Sequence, residues 1–543
     1  MLATLAFAAA LLAVTAVADA GSGRLGVPQS IVLVLTGAAL SLVPGLPPAR
    51  IDPQIVLLVL LPPLLYSAGV GMSWRGFRAN LRPILLLAIG CVVFTASAVA
   101  AACHLLLGFA WPVGFVLGAV VAPPDAVAPM AIARRLNMPQ RLLTILEGEG
   151  LVNDATALIL FAFAVAAVAT GGVSVAAAAR EFGAIVAGEL VWGVAVAWTL
   201  LRLRRWARSP QSEIILALLT PYVAFWPPHA LGGSGVLAAV AGGLYVSNVG
   251  PRLISPPTRL QGFFVWGLVT HAIEGLLFLL IGLQARSLAG LVASEGRRLL
   301  AAAAIVTAVI VIVRFVWVFP ATYLPRLWPP LRRRDPVPSW RVPFFIGFTG
   351  IRGVVSLAAA LSIPATVGDA PFPERDLIVF VTFVVILATL IGQGGLLPVV
   401  SRALGLARDG EREAADDKAA EVAARLTGID AALAELDALA AAGAPPAAVK
   451  VLRRHHGDRR AEFAGTADAR IEGSPVADDA QLQAKLITAE RAAIAAAYRN
   501  HEITDDARRR IERELDLEDA RNLHALESAT GDRLADPEAE IEG

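Results

Sequence analysis

The first 400 residues are a succession of Ala-, Val-, Leu- and Ile-rich stretches divided by short gaps, and their basic residues are all arginines; the three lysines, Lys418, Lys450 and Lys485, come later. A helix needs about 20 apolar residues to cross a hydrocarbon layer of about 30 Å. Thirteen segments of that kind can be placed, the first at 3–19 and the last at 377–400. Unpaired amides are costly in lipid, and barrel strands would be only about ten residues long with alternating polarity, so helices are expected throughout. Only 17% of the chain is charged, against about 25% in soluble domains, which excludes a soluble fold for this part.

The charge is unevenly divided. Residues 1–400 hold 15 acidic and 26 basic residues, net +11, whereas 401–543 hold 30 and 20, net −10. The expected organisation is a membrane part at 1–400 followed by a charged helical part at 401–543. Gaps after odd-numbered segments carry the arginine clusters, among them Arg75/Arg78/Arg82, Arg134/Arg135/Arg141, Arg202/Arg204/Arg205/Arg208 and Arg326/Arg332/Arg333/Arg334. The positive-inside rule places these gaps and the tail in the cytoplasm, with the N terminus outside. Ala18-Asp19-Ala20 resembles a signal-peptidase site, but no basic stretch precedes the apolar run, so the first segment is expected to be a retained span. Cys91 and Cys103 share one apolar stretch without metal-ligand spacing and read as packing residues.

Ionisable groups inside spans are costly and therefore point to function. Asp125, Glu147, Glu149, Asp154, Glu189, Glu213 and Glu274 fall there, four of them in the fifth and sixth segments. Around Asp125, Pro123, Pro124 and Pro129 each lack an amide hydrogen, so the fifth segment cannot be one regular helix. Asp125 is expected at an unwound crossing, capping the following helix, lining a site, or both. In the sixth segment, Glu147-Gly148-Glu149-Gly150-Leu151-Val152-Asn153-Asp154 puts Glu147, Gly150 and Asp154 on one helical face, with Glu149 and Asn153 beside it. A carboxylate holds either a proton or a metal cation, so Asp154 is the candidate for a group on which the two compete. The twelfth segment has Arg352 between Gly350 and Gly353, and Glu149, then Glu147, is the expected partner of that arginine. The two broken segments lie seven spans apart, which suits inverted repeats with crossed discontinuous helices.

These residues resemble the monovalent cation:proton antiporter family that includes the NhaP proteins and the animal sodium/proton exchangers. The resemblance covers roughly residues 25–400, about 70% of the chain. It rests on Leu61-Pro62-Pro63-Leu64-Leu65-Tyr66, Pro123-Pro124-Asp125-Ala126-Val127, the Gly148–Asp154 stretch, Gly275-Leu276-Leu277-Phe278-Leu279-Leu280-Ile281-Gly282-Leu283 and Gly350-Ile351-Arg352-Gly353, in that order. It implies an inner-membrane homodimer that exchanges Na+, Li+ or K+ for H+ by alternating access, each protomer moving a core domain against a dimerisation domain. Asp154 would be the shared carboxylate, Asn153 the mark of the electroneutral one-for-one class, Asp125 a site residue at the crossing, and Glu149 with Arg352 a structural ion pair. No cofactor is implied. Many members have Ser where this chain has Gly150, Thr where it has Pro124, and some an acid near Ser67, so the cation oxygens differ here; Ser67, backbone carbonyls or water are the candidates to replace them. That leaves K+/H+ exchange on the same fold as the alternative. A cation channel, which would favour a continuous polar lining, is a weaker one.

Other residues read as structural. Glu213 and Glu274 are expected to hold hydrogen bonds, and the arginine-rich gaps are explained by orientation and acidic headgroups. In the tail, 411–442 and 477–530 read as charged helices, with breaks at Gly443–Pro446 and between Gly457 and Pro475. Its negative balance argues against nucleic acid as a partner.

Overall fold

Prolines decide where the helices bend and break. The computed structural model describes residues 13–18, 28–43, 52–172, 174–207, 209–468, 475–500, 507–508, 511–512 and 514–521. The fold is all-α apart from a two-residue hairpin pairing Thr366–Val367 with Ala370–Pro371. Most of the first expected span, Asp19 and Ala20 of the sequence resembling a cleavage site, and the end of the tail lie outside the described residues.

Seven described helices are long and apolar enough to cross a membrane: Pro53–Gly71, Leu81–Leu107, Gln140–Thr170, Val175–Arg204, Pro256–Leu283, Gly296–Leu327 and Arg375–Leu404. This is fewer than the thirteen expected segments, and two of the missing ones are interrupted. One is helical at Trp111–Val121 and Val127–Arg135, the other at Arg341–Phe348 and Val354–Leu361. The breaks fall at Pro123-Pro124 and at the glycine-flanked Arg352.

Elsewhere Pro62, Pro63 and Pro227 sit in continuous helix with the carbonyls they release taken up by neighbouring side chains. A proline removes the bond to the carbonyl four residues back. Pro62 and Pro63 thus free Leu58 and Val59, whose oxygens accept from Trp226 Nε1 at 2.9 Å and from the Tyr222 hydroxyl at 3.1 Å. Pro227 frees Val223, whose oxygen accepts from Trp192 Nε1 at 3.2 Å. Lipid offers no donors, so these aromatic side chains stand in for water. A π-helical turn at Val56–Leu60 leads into the double proline, and others occur at Leu86–Cys91 and Ala388–Gly394.

Two large apolar clusters organise the membrane part. The first gathers side chains from the Val92–Leu107, Trp111–Val121, Ala285–Tyr323, Val354–Leu361 and Arg375–Leu387 helices, with Ile31, Leu33 and Val34 against it. The second joins Leu61, Leu65 and Tyr66 to Val236–Val246, Ala197, Leu201, Phe225 and the Leu151–Ala155 face. Gly69 and Gly243 lie against each other's backbones, the close approach that small residues allow where no hydrophobic drive separates helix from lipid.

Residues 413–543 form a second compact unit. Asp437 with Arg453, Asp430 with Arg460 at 2.6 Å, and Arg425 over the Phe463 ring lie across an antiparallel pair, Leu406–Ala441 and Pro446–Asp468. The second of these runs through Gly457, where a break was expected; flanking helical turns carry a lone glycine at about 1 kcal/mol.

Candidate functional site

The site is built where the two breaks touch. Asp125 donates its backbone amide to the Ile351 carbonyl at 2.7 Å. Gly353 is needed for this approach: a Cβ there would lie 2.6 Å from Asp125 Cβ. The Asp125 carboxylate faces the start of two half-helices. Its Oδ1 accepts from Val127 N at 3.2 Å, as the capping reading anticipates, while its Oδ2 is buried against the Gly353 side without a donor. Such helix starts favour negative charge.

Asn153 is fully buried and donates from Nδ2 to the Pro124 carbonyl at 2.6 Å, one of the oxygens the break releases. Its Oδ1 has no donor. Asp154, next along the Gln140–Thr170 helix, is partly buried and accepts no hydrogen bond among the described residues. It lies within electrostatic reach of Asp125. Gly150, one turn before Asp154, makes room for the break, since a Cβ there would stand 2.5 Å from Ala126 Cβ. A side chain at position 150 has no space in this packing. Ser67 lies partly buried on Pro53–Gly71 and bonds to none of these groups.

The expected Glu149–Arg352 pair is corrected. Glu149 is held by Arg314, from Nη1 at 2.6 Å and Nη2 at 2.9 Å, both residues being 2% exposed. Arg314 Nε also donates to the Ile346 carbonyl at 3.1 Å, near the end of the half-helix Arg341–Phe348. Arg352 performs the matching task at the other break: its guanidinium donates to the Ala122 carbonyl beyond Trp111–Val121, and its amide to Thr389 Oγ1 at 3.0 Å. Each arginine thus meets the negative end of one half-helix. Gly350 lets the Arg314 side chain pass, because a Cβ there would meet its Cδ at 2.8 Å. Arg314 was missed in the sequence, although a lone arginine in the apolar run Ile305–Phe319 was a usable signal.

The remaining acids separate by partner. Glu189 is a buried cap: Ser234, Gly235 and Leu237 donate their amides to it at 2.6–3.0 Å at the start of Val236–Leu253. Glu147 pairs with Arg134 at 3.3 Å, and Glu213 accepts from Ser255. Glu274 differs from its expected hydrogen-bonded state: it has no partner among the described residues and lies within the field of Asp125.

Residues 8–403 match the model of the sodium/hydrogen exchanger transmembrane family. An uncharacterized Na+/H+ exchanger of Mycobacterium tuberculosis is 35% identical over 535 residues, 95% of each chain. A sodium, potassium, lithium and rubidium/H+ antiporter of Bacillus pumilus is 33% identical over 69% of this chain and 58% of its own. The sodium proton antiporter MjNhaP1 of Methanocaldococcus jannaschii shares the fold with a TM-score of 0.60 at 17% identity, over 74% of this chain and 97% of that one. The chain belongs to the sodium/hydrogen exchanger family, in its NhaP-like branch, and is a multi-pass membrane transporter exchanging a monovalent cation and protons rather than an enzyme.

Proposed function

We propose that Asp154 takes a proton and a monovalent cation in turn, so that the empty carboxylate does not cross and each cation is exchanged for one proton. The carrying observation is the pair of buried, donor-free oxygens beside it, Asp125 Oδ2 and Asn153 Oδ1. Acceptors without donors suit a hard cation, and carbonyls freed by the break can add further oxygens. We assign Ser67 to the same coordination sphere, since its neighbours Leu65 and Tyr66 pack in one cluster with Val152. Asn153 adds no titratable charge, which supports electroneutral exchange.

The same reading has the protein working as a homodimer in the inner membrane, with 1–400 as the transport and dimerisation part, built on inverted repeats, and with the arginine-bearing gaps and 401–543 in the cytoplasm. The arginine distribution supports that orientation. Na+ is the lead substrate. K+ exchange is the second reading, favoured by the absence of a serine oxygen at Gly150 and by the Bacillus pumilus relative, whose name spans four alkali cations.

Purified protein in vesicles with an imposed pH gradient tests this. Na+, Li+ or K+, but not choline, should collapse the gradient at a rate unaffected by clamping the voltage, and Asp154→Asn should reduce the rate at least about a hundredfold, the scale of losing a proton-transfer group. Full exchange by Asp154→Asn would overturn the site, and a strong voltage dependence would overturn one-for-one exchange.

A further inference from the structure

A second charged constellation lies away from the transport site, at a common end of several spans. Arg82 begins Leu81–Leu107, Arg141 begins Gln140–Thr170, and Arg326 ends Gly296–Leu327. All three converge on one carboxylate, Asp335. Arg141 Nη2 meets its Oδ1 at 2.7 Å, Arg326 Nη2 meets its Oδ2 at 2.7 Å, and Arg82 also donates to Oδ2. Burial opposes ionisation of Asp335, but hydrogen bonds and charge from Arg141 and Arg326 outweigh it and hold its carboxyl below the usual range. The cluster therefore carries three positive charges against one negative.

Its donors are not used up. Arg326 is 6% exposed, yet its Nε has no acceptor, and neither does the buried Arg82 Nη1. An unpaired buried donor is costly, so an acceptor is missing here. The three arginines line a cavity of about 150 Å³ whose remaining wall is mainly apolar, including Leu86, Leu142, Ile145, Val318, Val342 and Ile346. A charged rim at the span ends above an apolar slot has the polarity of an amphiphile.

We propose that this cavity binds an anionic phosphate group, and that its apolar slot selects the phosphate of an acidic phospholipid. Arginine forks suit phosphate oxygens, and the surplus of two positive charges matches a phosphomonoester. Asp335 holds the arginines together and the phosphate supplies the acceptors they lack.

Calorimetric titration of the full-length protein in detergent tests this, using dioctanoyl phosphatidic acid, dioctanoyl phosphatidylcholine and inorganic phosphate as probes. Phosphatidic acid should bind at least about tenfold more tightly than phosphatidylcholine, and Arg82→Gln with Arg141→Gln should remove that preference. The single variants serve if the double variant does not fold. Arg332→Gln with Arg333→Gln, exposed arginines outside the cavity wall, should bind as wild type. Val342→Trp, which fills the slot, should weaken phosphatidic acid and leave inorganic phosphate unchanged. Equal binding of inorganic phosphate and phosphatidic acid, both insensitive to Val342→Trp, would uphold the phosphate site and assign it to a soluble anion. No preference for phosphatidic acid together with no binding of inorganic phosphate, or a preference unaltered by Arg82→Gln and Arg141→Gln, would overturn the proposal.

Discussion

Glu149 and Arg314 are each 2% exposed and share two hydrogen bonds, so removing either leaves the other charged and dry. That typically costs about 3–5 kcal/mol. Removing both charges avoids part of this loss. Melting curves of Glu149→Gln, Arg314→Gln and the double variant should therefore be non-additive by more than about 1 kcal/mol, and Glu149→Gln with Arg352→Gln by clearly less. Equal coupling would restore Arg352 as the partner. At this scale the sequence exposed Asp125, Asn153 and Asp154, because polar groups are conspicuous against an apolar background. It did not expose which arginine meets Glu149, because that choice is made by a crossing of helices 165 residues apart.

Between helices, the decisive contact is that of Gly150 with Ala126, which sets the long Gln140–Thr170 helix directly against the proline break. Overpacking such a position costs about 1–3 kcal/mol. Gly150→Ala should lower the melting temperature and the exchange rate together, and Ala126→Gly in the same chain should restore both. If Gly150→Ala behaves as wild type, the packing described for this crossing is wrong. The breaks were legible from three prolines in seven residues and from glycines around Arg352. The continuity at Pro62-Pro63 and Pro227 was not, because there Tyr222, Trp226 and Trp192 reach carbonyls on neighbouring helices. The thirteen apolar segments outnumber the seven described helices long and apolar enough to cross a membrane partly because two of the segments are interrupted, apolar in sequence without being continuous helices.

For the whole molecule, scarcity of charge gives the few buried groups their meaning. Arg314 and Arg352 occupy the negative ends of two half-helices, Glu149 neutralises one of them, and Asp125 lies at the positive starts. Among the described residues, Asp154 and Glu274 are the acids left without a fixed partner within the field of Asp125, and on the proposed reading it is Asp154 that changes its occupant. The balance of +11 against −10 along the chain was readable at once; the arginine cluster around Asp335 required the fold, since its members come from three separate gaps. The most direct measurement is calorimetric titration of the purified protein with Na+ and K+ in buffers of different ionisation enthalpy, which counts protons released per cation bound. The account predicts about one proton released at a pH where Asp154 starts protonated, cation affinity that falls as pH is lowered, up to about tenfold per unit, and neither effect in Asp154→Asn. Cation binding without proton release, or proton release that persists in Asp154→Asn, would contradict it.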